Sequence, residues 1–132
     1  MATAAPENDP VRILVADDSL VMRTLVELML VKAGFRVFTA VNGQEAWELL
    51  QKVPIHLVVA DICMPHLNGL ELTRLIRADE RLRPLPVVLM SAIDTDEERQ
   101  QGLACGASAF VMKERQDLAA LPTRIGAILA FT

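Results

Sequence analysis

Leu57-Val58-Val59-Ala60-Asp61-Ile62-Cys63-Met64-Pro65 is an apolar run that ends in a single carboxylate and is closed by a proline. A short, unbroken Leu/Val run between turn signals reads as a strand buried on both faces of a parallel sheet, because helices then cover both of its sides. In such sheets ligands bind beyond the carboxyl ends of the strands, and Asp61 stands at that end. A lone aspartate there reads equally well as the cap of the next helix. The meaning of Asp61 therefore depends on what the neighbouring strands deliver beside it.

Upstream, Val11 to Ala16 is a second apolar run, and it too ends in acid, at Asp17-Asp18. Ser19 to Lys32 has the length of a helix, begins after Asp/Ser cap candidates and stops at Ala33-Gly34. Arg36 to Ala40 alternates as an edge strand does, and Asn42-Gly43 turns the chain into a helix over about Gln44 to Lys52. There Ala46, Leu49, Leu50 and Val53 recur at helical spacing, and Pro54 ends the element. Downstream, Leu70 to Ala78 is amphipathic with Leu72, Leu75 and Ile76 facing inward. Val87 to Met90 is a fourth strand ending at Ser91-Ala92. Thr95-Asp96-Glu97-Glu98 is a capping-box pattern opening a polar helix to about Cys105. Ser108 to Met112 is the fifth strand and delivers Lys113, and Leu118 to Leu129 is a last helix with Pro122 near its first turns.

Strands alternating with helices across short linkers predict an α/β fold, a five-stranded parallel sheet wound on both faces as a flavodoxin-like (βα)5 unit. With Arg36 to Ala40 at an edge, the order 2-1-3-4-5 sets the first and third strands side by side, so that Asp17, Asp18 and Asp61 meet.

The totals narrow the class. At 132 residues the chain makes one domain, expected over residues 11–130 behind a disordered tail at 1–10. No apolar run approaches the roughly 18 residues of a membrane span, and the first ten residues lack the parts of a signal peptide, so a cytoplasmic location is expected. The net charge is −4 without a clustered Lys/Arg stripe, which argues against nucleic acid and membrane partners. Cys63 and Cys105 lack CxxC spacing or a His pair and read as free thiols.

Four strand ends thus bring Asp17-Asp18, Asp61, Ser91 and Lys113 to one crevice. Three carboxylates this close repel, and without compensation at least one holds its proton at neutral pH. A cation is implied. A hard ion that keeps several waters and takes one or two carboxylates suits the set, which points to Mg2+. Three carboxylates, one divalent ion and one ammonium cancel in charge, and a phosphoryl group completes such a site. Phosphoryl transfer asks for positioning and electrostatic stabilisation, and aspartate is an established acceptor through an aspartyl phosphate. Asp61 is the candidate nucleophile.

These residues carry a resemblance. Asp17-Asp18 after the first strand, Asp61 followed by Met64-Pro65 and Gly69, Ser91-Ala92, and Phe110 three residues before Lys113 resemble a response regulator receiver domain of two-component signalling, over roughly Val11 to Leu129. The resemblance implies that Asp61 is phosphorylated by a histidine kinase or histidine phosphotransfer domain. It implies that Asp18, Asp61 and the backbone carbonyl of Cys63 ligate Mg2+ directly, with Asp17 acting through water. Ser91 and Lys113 would each bind a phosphoryl oxygen. Movement of the Ser91 hydroxyl would let Phe110 turn inward and remodel the face of the fourth helix, fifth strand and fifth helix, read by a downstream protein target. The chain is then a phosphoacceptor and not an enzyme, though it assists its own phosphotransfer and dephosphorylation. The Val-Ala-Asp-Asp-Ser and Glu-Leu-Thr-Arg segments resemble chemotaxis-type receivers, single-domain or fused to kinases.

Glu114 departs from the pattern, which usually has a proline after the lysine in a cis bond. A non-proline cis bond costs about 2.5–4 kcal/mol, so Lys113–Glu114 is expected trans. In the family, the residues two beyond the acceptor and two beyond the hydroxyl tune hydrolysis. Here Cys63 and Ile93 orient water poorly, which predicts slow self-dephosphorylation.

The first helix presents Met22, Leu25, Val26 and Met29 to the sheet and a second apolar face of Leu20, Val21, Leu28 and Val31, with Arg23 and Glu27 as a thin polar ridge. That face is expected to be ordinary surface or to dock a kinase, a phosphotransfer domain or a second copy of the chain. Trp47 reads as packing, and His56 and His66 as solvated loop residues. A haloacid-dehalogenase-type phosphatase needs a second Asp where Cys63 stands, and Asp17-Asp18 would repel a flavin phosphate. The remaining alternative is a receiver-like protein-binding module whose output does not depend on phosphorylation.

Overall fold

The computed structural model describes residues 9–93 and 95–131. Most of the expected tail, residues 1–8, lies outside the described residues, while Asp9 and Pro10 are exposed and without regular structure. The strands are β1 (Arg12–Ala16), β2 (Arg36–Ala40), β3 (Leu57–Asp61), β4 (Val87–Ser91) and β5 (Ala109–Met112). The helices are α1 (Leu20–Lys32), α2 (Gly43–Lys52), α3 (Gly69–Ala78), α4 (Asp96–Ala104), α5 (Arg115–Ala119) and α6 (Leu121–Leu129). All strand pairs are parallel, in the order β2-β1-β3-β4-β5.

Alternation along each buried strand sorts the core into two layers. Leu14, Val58, Ala60 and Leu89 face one layer with Leu50, Leu72 and Ile76 of α2 and α3. Ile13, Val15, Val59, Val88 and Met90 face the other with Val26 and Leu30 of α1 and Leu121 and Ile125 of α6. β3 and β4 are buried at every position, the condition under which a strand reads as an unbroken apolar run.

Several sequence expectations are corrected. Within α1, Val26 and Leu30 are the buried residues and Leu25 is exposed, so the inner face is rotated from the predicted one. In α3, Leu75 is exposed and Thr73 takes an inner place, with its hydroxyl donating to Gly69 O at 2.7 Å. The last helix begins three residues earlier, at Arg115, and is interrupted at Ala120. Pro122 lacks the N–H that a continuous helix would direct to residue 118, and its ring crowds that carbonyl. His56 is exposed as expected, yet its Nδ1 accepts the Arg12 N–H at 2.9 Å, and burial together with the Arg12 charge lowers its pKa. His66 is exposed, at φ 69°. Trp47 is half-buried against the core, and both cysteines are free.

Candidate functional site

The carboxyl edges of β1, β3, β4 and β5 open on one crevice. β1 ends before Asp17, which is fully buried, and its Oδ1 accepts the Ser19 N–H at 2.9 Å at the mouth of α1. Arg23 on α1 reaches back to donate to Asp17 O at 2.9 Å, which places a guanidinium behind the acid pair. Arg23 is thus more than a surface ridge, and its place one turn after Ser19 is the sequence signal that the periodicity reading passed over. Asp18 is exposed.

β3 carries Asp61 to the same edge, 5% exposed, with Cys63 N–H donating to its Oδ1 at 3.3 Å. Gly69 explains the loop that follows. A Cβ there would lie 2.4 Å from the Asp61 carbonyl oxygen, so only glycine lets α3 begin this close to the strand end. Asn68 and Glu71 form a complete capping box at that start.

Lys113, just past β5, sets its Nζ 2.7 Å from Asp61 Oδ2 and 2.8 Å from Asp17 Oδ2. Burial pulls its pKa down, but the two carboxylates outweigh that and the net shift is upward. Asp61 moves the other way from a usual salt-bridged acid. Burial raises its pKa, Lys113 counters this, and the Asp17 charge adds to the rise. One ammonium therefore does not neutralise the crevice. Asp17 Oδ2, beside that ammonium, is a buried oxygen without an aligned hydrogen-bond donor.

Asp17, Asp18 and Asp61 each offer an oxygen within 4.8 Å of the others. A hard divalent ion fits that set on two grounds: all donors are oxygen, and three carboxylates face one ammonium. Asp18 and Cys63 line the open cleft alongside, which leaves room for water and for an incoming group. The Lys113–Glu114 bond is trans, no cis peptide occurring among the described residues.

Ser91 closes β4, 3% exposed. Its Oγ accepts the Ile93 N–H at 3.0 Å, lies 2.9 Å from Ile93 O, and donates in a short hydrogen bond to the carboxylate of Glu98 on α4. Phe110 is buried, its ring beneath the Arg99 guanidinium at 5.0 Å and against Gly102. The structure thus brings together Asp17, Asp18, Asp61, Cys63, Ser91 and Lys113, with Phe110 one layer behind. Glu98 is the member that sequence reasoning missed.

Comparison with known proteins gives a consistent result. The family model described as "Response regulator receiver domain" matches residues 13–125. A relative named "Two-component response regulator ORR3", from Oryza sativa subsp. indica, is 34% identical over 82% of this chain and 82% of its own length. The chain spans 44% and 46% of the length of two further response regulators it matches. The solved structure of chemotaxis response regulator CheY4 of Vibrio cholerae has a TM-score of 0.81 and 28% identity, covering 88% of this chain and 98% of that one. The receiver domain of a histidine kinase from Syntrophus aciditrophicus has a TM-score of 0.85 and 26% identity, covering 92% of each chain.

Proposed function

The chain belongs to the response regulator receiver domain family of two-component signalling, and on that premise we propose that Asp61 is its phosphoacceptor. The observation that carries this reading is the buried carboxylate of Asp61 at the end of β3, bridged to Asp17 by Lys113 and within reach of Asp18. An oxygen of Asp61 attacks a phosphoryl group on a partner's histidine. The new P–O bond forms as the P–N bond breaks, and the electron pair stays on the imidazole nitrogen. Asp18, Asp61 and the Cys63 carbonyl would hold Mg2+, and Asp17 would act through water. When bound, the ion offsets charge on the transferring phosphoryl oxygens.

Lys113 supplies the second positive charge and Ser91 a hydrogen-bond donor. The donor protein is a histidine kinase or phosphotransfer domain and the readout a protein target, with the domain acting in the cytoplasm; among the described residues no helix is long and apolar enough to cross a membrane. The signal passes to the face built by α4, β5 and α6, where Phe110 already points inward. Charge balance favours this over a binding module indifferent to phosphate, because such a module has no use for three acids around one lysine.

The test is titration with beryllofluoride, a phosphoryl mimic, read by Trp47 fluorescence with and without Mg2+. Binding is expected only with Mg2+ and only with Asp61 intact. Equal response in Asp61→Asn, or none in the wild type, overturns the reading.

A further inference from the structure

Glu98 occupies the third position of α4, after the N-cap Thr95, whose hydroxyl accepts the Glu98 N–H at 3.2 Å. In a complete capping box the glutamate carboxylate returns to the N-cap N–H. Glu71 does this in α3, accepting from Asn68 N at 2.9 Å. Among the described residues Glu98 makes no such return, and its carboxylate instead takes the hydroxyl proton of Ser91.

A serine hydroxyl has one hydrogen to give. Ile93 O and the Glu98 carboxylate both lie within reach of Ser91 Oγ, and a charged acceptor makes the stronger bond. The one donor that Ser91 could offer a phosphoryl oxygen is therefore committed to α4.

We infer that Glu98 is a positioning residue that competes with the phosphoryl group on Asp61 for the hydroxyl of Ser91, and so holds α4 to the unphosphorylated site. The inference rests on the reading of Asp61 as phosphoacceptor. When Ser91 turns toward the phosphoryl group, Glu98 loses its partner and the first turn of α4 is released. The next residue, Arg99, lies over Phe110, so the release is felt at once on the face that carries the signal.

The experiment measures beryllofluoride affinity at saturating Mg2+ in Glu98→Ala, Glu98→Gln, Ser91→Ala and the Ser91→Ala/Glu98→Ala double variant. Glu98→Ala is expected to bind roughly tenfold more tightly than wild type, the effect of freeing a hydroxyl from a charged acceptor. Glu98→Gln, which keeps an acceptor without charge and preserves the helix start, should fall between. On the Ser91→Ala background the Glu98 substitution should change affinity by less than about twofold, since no hydroxyl remains to compete for. Wild-type affinity in both Glu98 variants overturns the inference and leaves the phosphoacceptor reading intact. An equal gain with and without Ser91 also overturns it, because the charge then acts by itself. Failure of the wild type to bind removes the phosphoacceptor reading, and this inference with it.

Discussion

Asp61 stands in a setting that favours its proton. Burial is the larger cause, and the charge of Asp17 adds to it against the pull of Lys113. With the folded-state pKa above the unfolded one, the native state binds this proton more tightly. The ionised form then costs stability once pH has risen through the folded value, and the cost vanishes below the unfolded value. Asp61→Asn should stabilise the metal-free protein at neutral pH by something on the order of 1 kcal/mol, Lys113 keeping Asp17 as its partner. Urea midpoints in EDTA measure this, and the gain should shrink as pH falls through the ordinary carboxylate range. A destabilised variant would mean that Lys113 relies on Asp61 more than Asp61 suffers from Asp17. A second residue-scale prediction concerns hydrolysis. Cys63 is exposed on the cleft beside Asp18 and orients water poorly, so Cys63→Asn should speed loss of the phosphoryl group severalfold. Equal or slower loss counts against it. The acids, Ser91 and Lys113 were legible in the sequence because each ends or follows an apolar strand. Glu98 was not, since a glutamate three residues after Thr95 looks like a local cap, and only the fold shows it turned toward Ser91.

Elements obey the same logic of close approach. α3 starts against the end of β3, and Gly69 is the point of contact, where an added Cβ would sit 2.4 Å from Asp61 O. That oxygen belongs to backbone and has no room to retreat. Gly69→Ala should therefore destabilise by about 2 kcal/mol and weaken Mg2+ binding, because relief of the clash displaces Asp61. Gly126 in α6 is the contrast, with nothing within 4 Å of its would-be Cβ. There the same substitution should stabilise by roughly 0.5–1 kcal/mol, as expected for glycine inside an exposed helix, and leave metal affinity alone. Denaturant midpoints and Mg2+ titrations of both variants check the pair; equal effects would show that proximity to Asp61 is not what matters. Element positions were readable to within a residue or so where a cap or glycine marks them, as at Asn42 and Asn68. They were least readable where signals conflict. α1 is apolar almost all round, so periodicity could not tell Leu25 from Leu30, and in the last helix the early start at Arg115 carries no side-chain cap bond at Glu114.

At the scale of the whole molecule, strand order converts four separate sequence signals into one site, and the same order decides what stands next to it. α1 leads out of Asp17-Asp18, and α5 leads out of Lys113, so a groove between them, lined by Met22, Leu25, Met29, Lys113 and Leu118, reaches the crevice at Lys113. Beyond it the outer face of α1 exposes Leu20 (67%), Val21 (75%), Leu28 (63%) and Val31 (51%), an apolar surface of the kind that partners cover. On the proposed reading a phosphoryl donor has to bring its histidine to the mouth of the crevice, and a partner seated on α1 would be held at that mouth. Leu28 is well placed to test this, because its exposure means that a charge there should alter stability by no more than about 0.5 kcal/mol. Leu28→Glu is therefore expected to slow phosphotransfer from the kinase or phosphotransfer domain by roughly tenfold or more, a carboxylate buried against apolar side chains being costly. Uptake from acetyl phosphate, which needs no docking surface, should match the wild type. If both routes are unchanged and the association state is also unchanged, the face is ordinary surface. If instead only self-association is lost, a second copy of the chain is what covers α1.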